Sequence, residues 1–180
     1  MVTAFDLDGE RWGESLVLHK NPGPDPPIKE IEVDPAADAN KAGDVHGVMG
    51  WRFFEIPAST IGPSDDQLRF VFTAPAQILQ VDISVDIADP RAILLEFAAG
   101  INATRGYGQY RSADWLMHVS WVRHPRTPGE IDETVVLPEG VEVGAGDFVG
   151  VGAYMGGVGG GDPVRVSPEV VVLYRWLDGT

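Results

Sequence analysis

Apolar and polar residues alternate with a period of two over most of this chain. The clearest stretch runs from Ile78 to Ile87. Leu79, Val81, Ile83, Val85 and Ile87 fall on one side, with Gln80, Asp82, Ser84 and Asp86 on the other. Such alternation predicts a strand with one buried and one wet face. Trp115 to Arg123 repeats the pattern, with Trp115, Met117, Val119 and Trp121 opposite His118 and Ser120. Gly50–Ile56, Leu68–Thr73, Thr134–Leu137, Phe148–Met155, Val164–Val166 and Val170–Trp176 are further predicted strands. Gly150 and Gly152 inside one of them predict a bend or a close backbone approach. Ala92–Ile101 is ambiguous by periodicity; its length and neighbours favour a strand over a short helix.

Short strands separated by Gly and Pro turns, without an amphipathic helix, predict an all-β protein built as an antiparallel β-sandwich. Eight or nine strands fit an eight-stranded jelly roll best. An immunoglobulin-like sandwich, with about seven strands, is the alternative. The expected division is an extended N-terminal arm or lead-in over 1–47 and a sandwich over 48–180. Asn21-Pro-Gly-Pro-Asp-Pro-Pro27 cannot be helical, because proline lacks the donor and restricts the residue before it. Ile28–Val33 is a short strand candidate inside that arm.

The chain has 180 residues, enough for one self-sufficient core. It contains no cysteine, which removes disulfides, zinc–thiolate sites and cysteine nucleophiles together. Its net charge of −14 repels phosphate backbones, so no nucleic-acid partner is expected. No apolar run approaches the roughly 18 residues of a membrane span, and none follows a basic region as in a signal peptide. The expected product is made in the cytoplasm without a signal peptide and has no membrane partner.

The chemistry-bearing residues form no expected catalytic or metal constellation. His118 and His124 share a face by parity but would be about 20 Å apart on an extended strand. His19 and His46 add no spaced pair. Asp82 and Asp86, four apart, would be about 13 Å apart, too far for one calcium ion. Asp65-Asp66 is expected in a loop. No Gly-x-Ser-x-Gly elbow is present. Gly156-Gly-Val-Gly-Gly-Gly161 lacks the Lys-Ser/Thr of a phosphate loop and is expected to be a connector. No enzyme activity, cofactor or metal is therefore expected. The residues that suggest contact are Trp51 and, in the polar loop Thr104–Ser112, Tyr107, Tyr110 and Arg111. Tyrosine, tryptophan and arginine are favoured at interfaces. They suit a protein interface or an aromatic platform for a cell-surface glycan.

The stretch from Val135 to Gly157 carries Leu137-Pro138 and then Gly146-Asp147-Phe148-Val149. It resembles the closing strands of jelly-roll proteins. Trimeric tumour-necrosis-factor-like and C1q-like domains share that layout, as do virion proteins of tailed phages that infect actinobacteria, of the minor tail type. The resemblance covers about residues 115–176, in a chain rich in Ala, Gly, Val, Asp and Pro. It implies a virion component of a phage tail, tail tip or capsid surface, with no catalytic residues. Its partners would be other virion proteins and copies of itself, with a trimer favoured. The arm would then reach across to a neighbouring subunit.

Overall fold

The computed structural model describes residues 28–37, 44–56, 62–87, 92–103, 115–122, 129–157 and 164–177. Eleven strands are found among them: β1 (Ile28–Val33), β2 (His46–Trp51), β3 (Phe54–Ile56), β4 (Gly62–Phe72), β5 (Ala76–Ile87), β6 (Ala92–Ile101), β7 (Trp115–Val122), β8 (Gly129–Val143), β9 (Phe148–Gly157), β10 (Val164–Val166) and β11 (Glu169–Trp176). The only helical element among the described residues is one 3-10 turn, Pro35–Ala37.

Four antiparallel pairings define the topology: β2 with β11, β4 with β9, β5 with β8, and β6 with β7. Leaving out β1 and the small β3–β10 ribbon, the first strand pairs with the last, the second with the one before it, and so inward. That is one long hairpin. Further pairing of β11 with β5 and of β9 with β6 winds it into two sheets. The orders are β2-β11-β5-β8 and β1-β4-β9-β6-β7. A wound hairpin of eight strands in two sheets is a jelly roll. Ala92–Ile101 is a strand, paired on both sides.

The core lies between the sheets. Leu68, Phe70, Phe72, Leu95, Phe97, Val149 and Val151 fill it from one side, and Ile78, Val81, Ile83, Val170 and Val172 from the other. Burying each such side chain stabilises the fold by about 1.5–3 kcal/mol. At one end Tyr174 meets the edges of Phe72 (5.3 Å) and Trp176 (5.1 Å) and stacks on His46 (5.6 Å).

Two irregularities depart from simple alternation. In β5 the pairing skips Leu79 against both neighbouring strands. Ala76 and Ile78 are buried before the skip, and Val81, Ile83, Val85 and Ile87 after it. Leu79 is therefore only half-buried, contrary to the unbroken alternation of the sequence. A bulge shifts the pleat by one residue and so exchanges the two faces. In β8 the pairing jumps from Val136 to Val141, so Leu137-Pro138-Glu139-Gly140 bulges from the sheet edge. The predicted strand Thr134–Leu137 is thus part of a much longer one.

The 1–47 segment contributes structure of its own. Ile28–Val33 pairs in parallel with β4 at the edge of the five-stranded sheet. It buries Ile31 and Val33 in the core. His46 and Gly47, on the arm side of the expected boundary, already belong to β2. Residues 1–27, most of the glycine-rich connector, and Tyr107, Tyr110 and Arg111 lie outside the described residues.

Candidate interaction surface

Trp51-Arg52-Phe53-Phe54 joins β2 to β3. Its side chains alternate, with Arg52 and Phe54 buried and Trp51 and Phe53 turned out. An arginine in the inward register needs partners, because an unpaired buried charge is costly. Arg52 donates to the carbonyls of Gln67 (2.8 Å) and Phe53 (3.1 Å) and pairs with Asp66 at 3.1 Å. Its guanidinium also lies 5.3 Å from the centre of the Phe54 ring. Asp66 in turn accepts the Glu55 N–H at 2.6 Å. It lies within β4, not in the expected loop, and its carboxylate fixes the start of β3.

Trp51 is half-buried and Phe53 is 44% exposed. Their rings meet edge to face, 5.4 Å apart at 89°. Lys29 reaches the same corner from β1: its Nζ donates to the Trp51 carbonyl at 2.9 Å and lies 5.1 Å from the ring centre. The result is a corner of two perpendicular rings with a cation against one of them. Of the sequence-predicted contact residues, the described structure places Trp51 here. Phe53, Lys29 and Arg52 are additions. Period-two alternation alone would turn Trp51 and Phe53 inward and Arg52 outward, the reverse of what is found. Lys29 had no local signal, because its role depends on β1 pairing with β4.

A second polar network lies on the outer face of β4 and β9. Buried Gln67 donates to the Ala103 carbonyl (2.6 Å) and accepts from Arg69 Nε (2.7 Å). Arg69 covers the Phe148 ring at 4.4 Å and faces Glu30 at 3.6 Å. Here the chain leaving β6 crosses Gly150, where an added Cβ would lie 2.3 Å from the Ala103 oxygen. The close approach expected at this glycine is present.

Next to it, Asp147 ties the β8–β9 turn to the end of β6. Its carboxylate accepts from Gly144 N–H (2.6 Å) and from Asn102 Nδ2 (2.8 Å), and Asn102 Oδ1 accepts the Phe148 N–H (3.1 Å). The Asn102 side-chain bond and then the Gly144 bond hold the Asp147 carboxyl below its ordinary value. Asn102 (φ 50°) and Gly146 (φ 89°) both adopt the left-handed backbone, in which Asn and Gly are the tolerated residues. This is the structure behind the Gly-Asp-Phe-Val motif. Among the described residues, no group of three or more His, Asp or Glu could hold a metal ion.

No family model matches the chain, and no curated protein matches it. Ten chains of solved structures do. They include PliG of Aeromonas hydrophila, a periplasmic inhibitor of g-type lysozyme, at 13% identity and TM-score 0.36, with 82% of this chain and 99% of that one covered. Eiger TNF from S. frugiperda matches at 10% identity and TM-score 0.30, covering 72% and 95%. A virus-like particle of extra small virus, from the giant freshwater prawn Macrobrachium rosenbergii, matches at 11% identity and TM-score 0.30, covering 76% and 84%.

Proposed function

We propose that this chain is a non-enzymatic structural component of a bacteriophage virion that works by protein–protein assembly. Its place is the tail or tail tip, of the minor tail type, or the capsid surface as a decoration protein. Its partners are copies of itself, as a trimer, and neighbouring virion proteins. The observation that carries this reading is the Trp51–Phe53 corner. Two aromatic rings are held outward by a buried arginine whose hydrogen bonds fix the backbone beneath them. Rigid, partly exposed aromatics are what a protein interface uses as anchors. The sequence likeness of Val135–Gly157 to virion jelly rolls supplies the particle. The edge-to-face arrangement of the rings favours a protein pocket over a stacked glycan.

The test is the native mass of the purified chain over a range of concentrations. The reading predicts a complex with three times the 19.4 kDa of one chain. Phe53→Ser, which removes an exposed ring, should weaken self-association by roughly tenfold or more and leave the urea midpoint nearly unchanged. A wild-type chain that stays monomeric at every concentration, or a Phe53→Ser chain that assembles as well as wild type, would count against the reading.

A further inference from the structure

β8 is an edge strand. Among the described residues it pairs with β5 on one side and with no strand on the other. With 15 residues it is the longest of the described strands, whereas the other edge strands, β1, β2 and β7, have 6, 6 and 8. It carries a β-branched run, Thr134-Val135-Val136, and Val136 is 60% exposed. A long open edge with such a run is a template for strand addition. The strand always available to it is the same edge of a second copy.

Two copies of one edge pair antiparallel about a two-fold axis, and the pleat requires opposed residues to share a face. The axis then passes through a residue position. Through Glu130, Asp132 or Glu133 it sets an acid against its own copy, and through Ile131 it sets Glu130 against Asp132. Like charges directly opposite each other destabilise a strand pair. Glu133 is also an exposed charge in register with Ile83 of the core, a feature that guards sheet edges. Through Thr134, Val135 or Val136 the pairing must continue into Leu137–Gly140. There the register on β5 jumps, so the backbone is out of line, and Pro138 has no N–H to donate. This bulge is held in place. Gln77 Nε2 donates to the Glu139 carbonyl at 2.8 Å, and Arg175 Nε donates to Gln77 Oε1 at 2.7 Å. Gly140 takes the left-handed backbone (φ 65°) against the Gln77 side chain, where no Cβ would fit.

We infer that β8 carries a built-in block to sheet extension. The acids Glu130, Asp132 and Glu133 close one half of the edge and the Leu137–Gly140 bulge closes the other, so a second copy cannot add its β8 alongside. Self-assembly of this chain must then use another surface. The block goes beyond the virion reading and does not depend on it.

The natural absence of cysteine lets a single one report on the pair. With the axis at Thr134, Thr134→Cys faces its own copy. Deleting Pro138, Glu139 and Gly140 leaves Leu137 opposite Leu79 and makes the ladder continuous. In that deletion, Thr134→Cys should form a disulfide between chains under mild oxidation. With the bulge present the same disulfide should form roughly tenfold more slowly. A second variant, Glu130→Thr/Asp132→Thr/Glu133→Thr, keeps the bulge and the strand length, so the test does not hang on the deletion folding. It should self-associate roughly tenfold more tightly than wild type, with slower amide exchange confined to Gly129–Val136. Equal disulfide rates with and without the bulge would overturn the bulge's part. A triple variant that associates no more tightly than wild type, or gains its protection outside β8, would overturn the part of the acids.

Discussion

Arg52 is the residue on which the contact corner depends. It is 1% exposed and spends its donors on Asp66, Gln67 and Phe53. Arg52→Ala would leave the Asp66 carboxylate and the Gln67 carbonyl without these bonds inside the protein. Removing one partner of a buried pair costs about 3–5 kcal/mol, and urea unfolding should show a loss of that size. Arg52→Lys should recover only part of it, since a single ammonium cannot replace the planar fork. Gly150 gives a second measure. An alanine there forces the Ala103 carbonyl away from β9, a backbone shift of the kind that costs about 1–3 kcal/mol. Only the second effect was partly legible in the sequence, because a glycine inside a strand marks a bend or a close approach, whereas alternation alone would turn Arg52 outward. The partners were not legible, because Arg52 with Gln67 and Gly150 with Ala103 come together only through pairing between distant strands.

At the scale of elements, the Asp147 clasp joins three of them: the end of β6, the β8–β9 turn and the start of β9. The fold lowers the pKa of this carboxyl from its ordinary 3.8 by hydrogen bonding the ionised form. Its contribution is therefore complete above pH 3.8 and is lost as pH falls through the lower folded value. Asp147→Ala should cost about 1 kcal/mol at neutral pH, an amount reduced by partial exposure. The difference from wild type should shrink on acidification below that range, as read from unfolding curves at a series of pH values. A difference that stays constant with pH would mean that the charge contributes nothing. The turn itself was visible as Gly-Asp before a strand. The parity change at Leu79 was not, because a bulge leaves the apolar residues in place and moves only the register. β1 was a candidate strand, but its parallel pairing with β4 was beyond local pattern. Ile31→Asp should therefore unfold or severely destabilise the chain, since Ile31 packs in the shared core beside Gly50 and Phe70.

For the whole molecule, period-two alternation and the strand count made the jelly roll legible, and the nested pairings establish it. Function was less legible. The contact candidates Tyr107, Tyr110 and Arg111 lie outside the described residues, and interface residues leave no period in a sequence. The account therefore rests on an acidic, cysteine-free jelly roll with an anchored aromatic corner, read as part of a particle. The most direct test of the proposed virion role is to produce the chain from its native locus and measure, by quantitative mass spectrometry, the protein content of any gradient-purified particles released. The account predicts the chain in the particle band at a fixed copy number divisible by three. Its absence from the particles, with the whole pool recovered as free monomer, would contradict it.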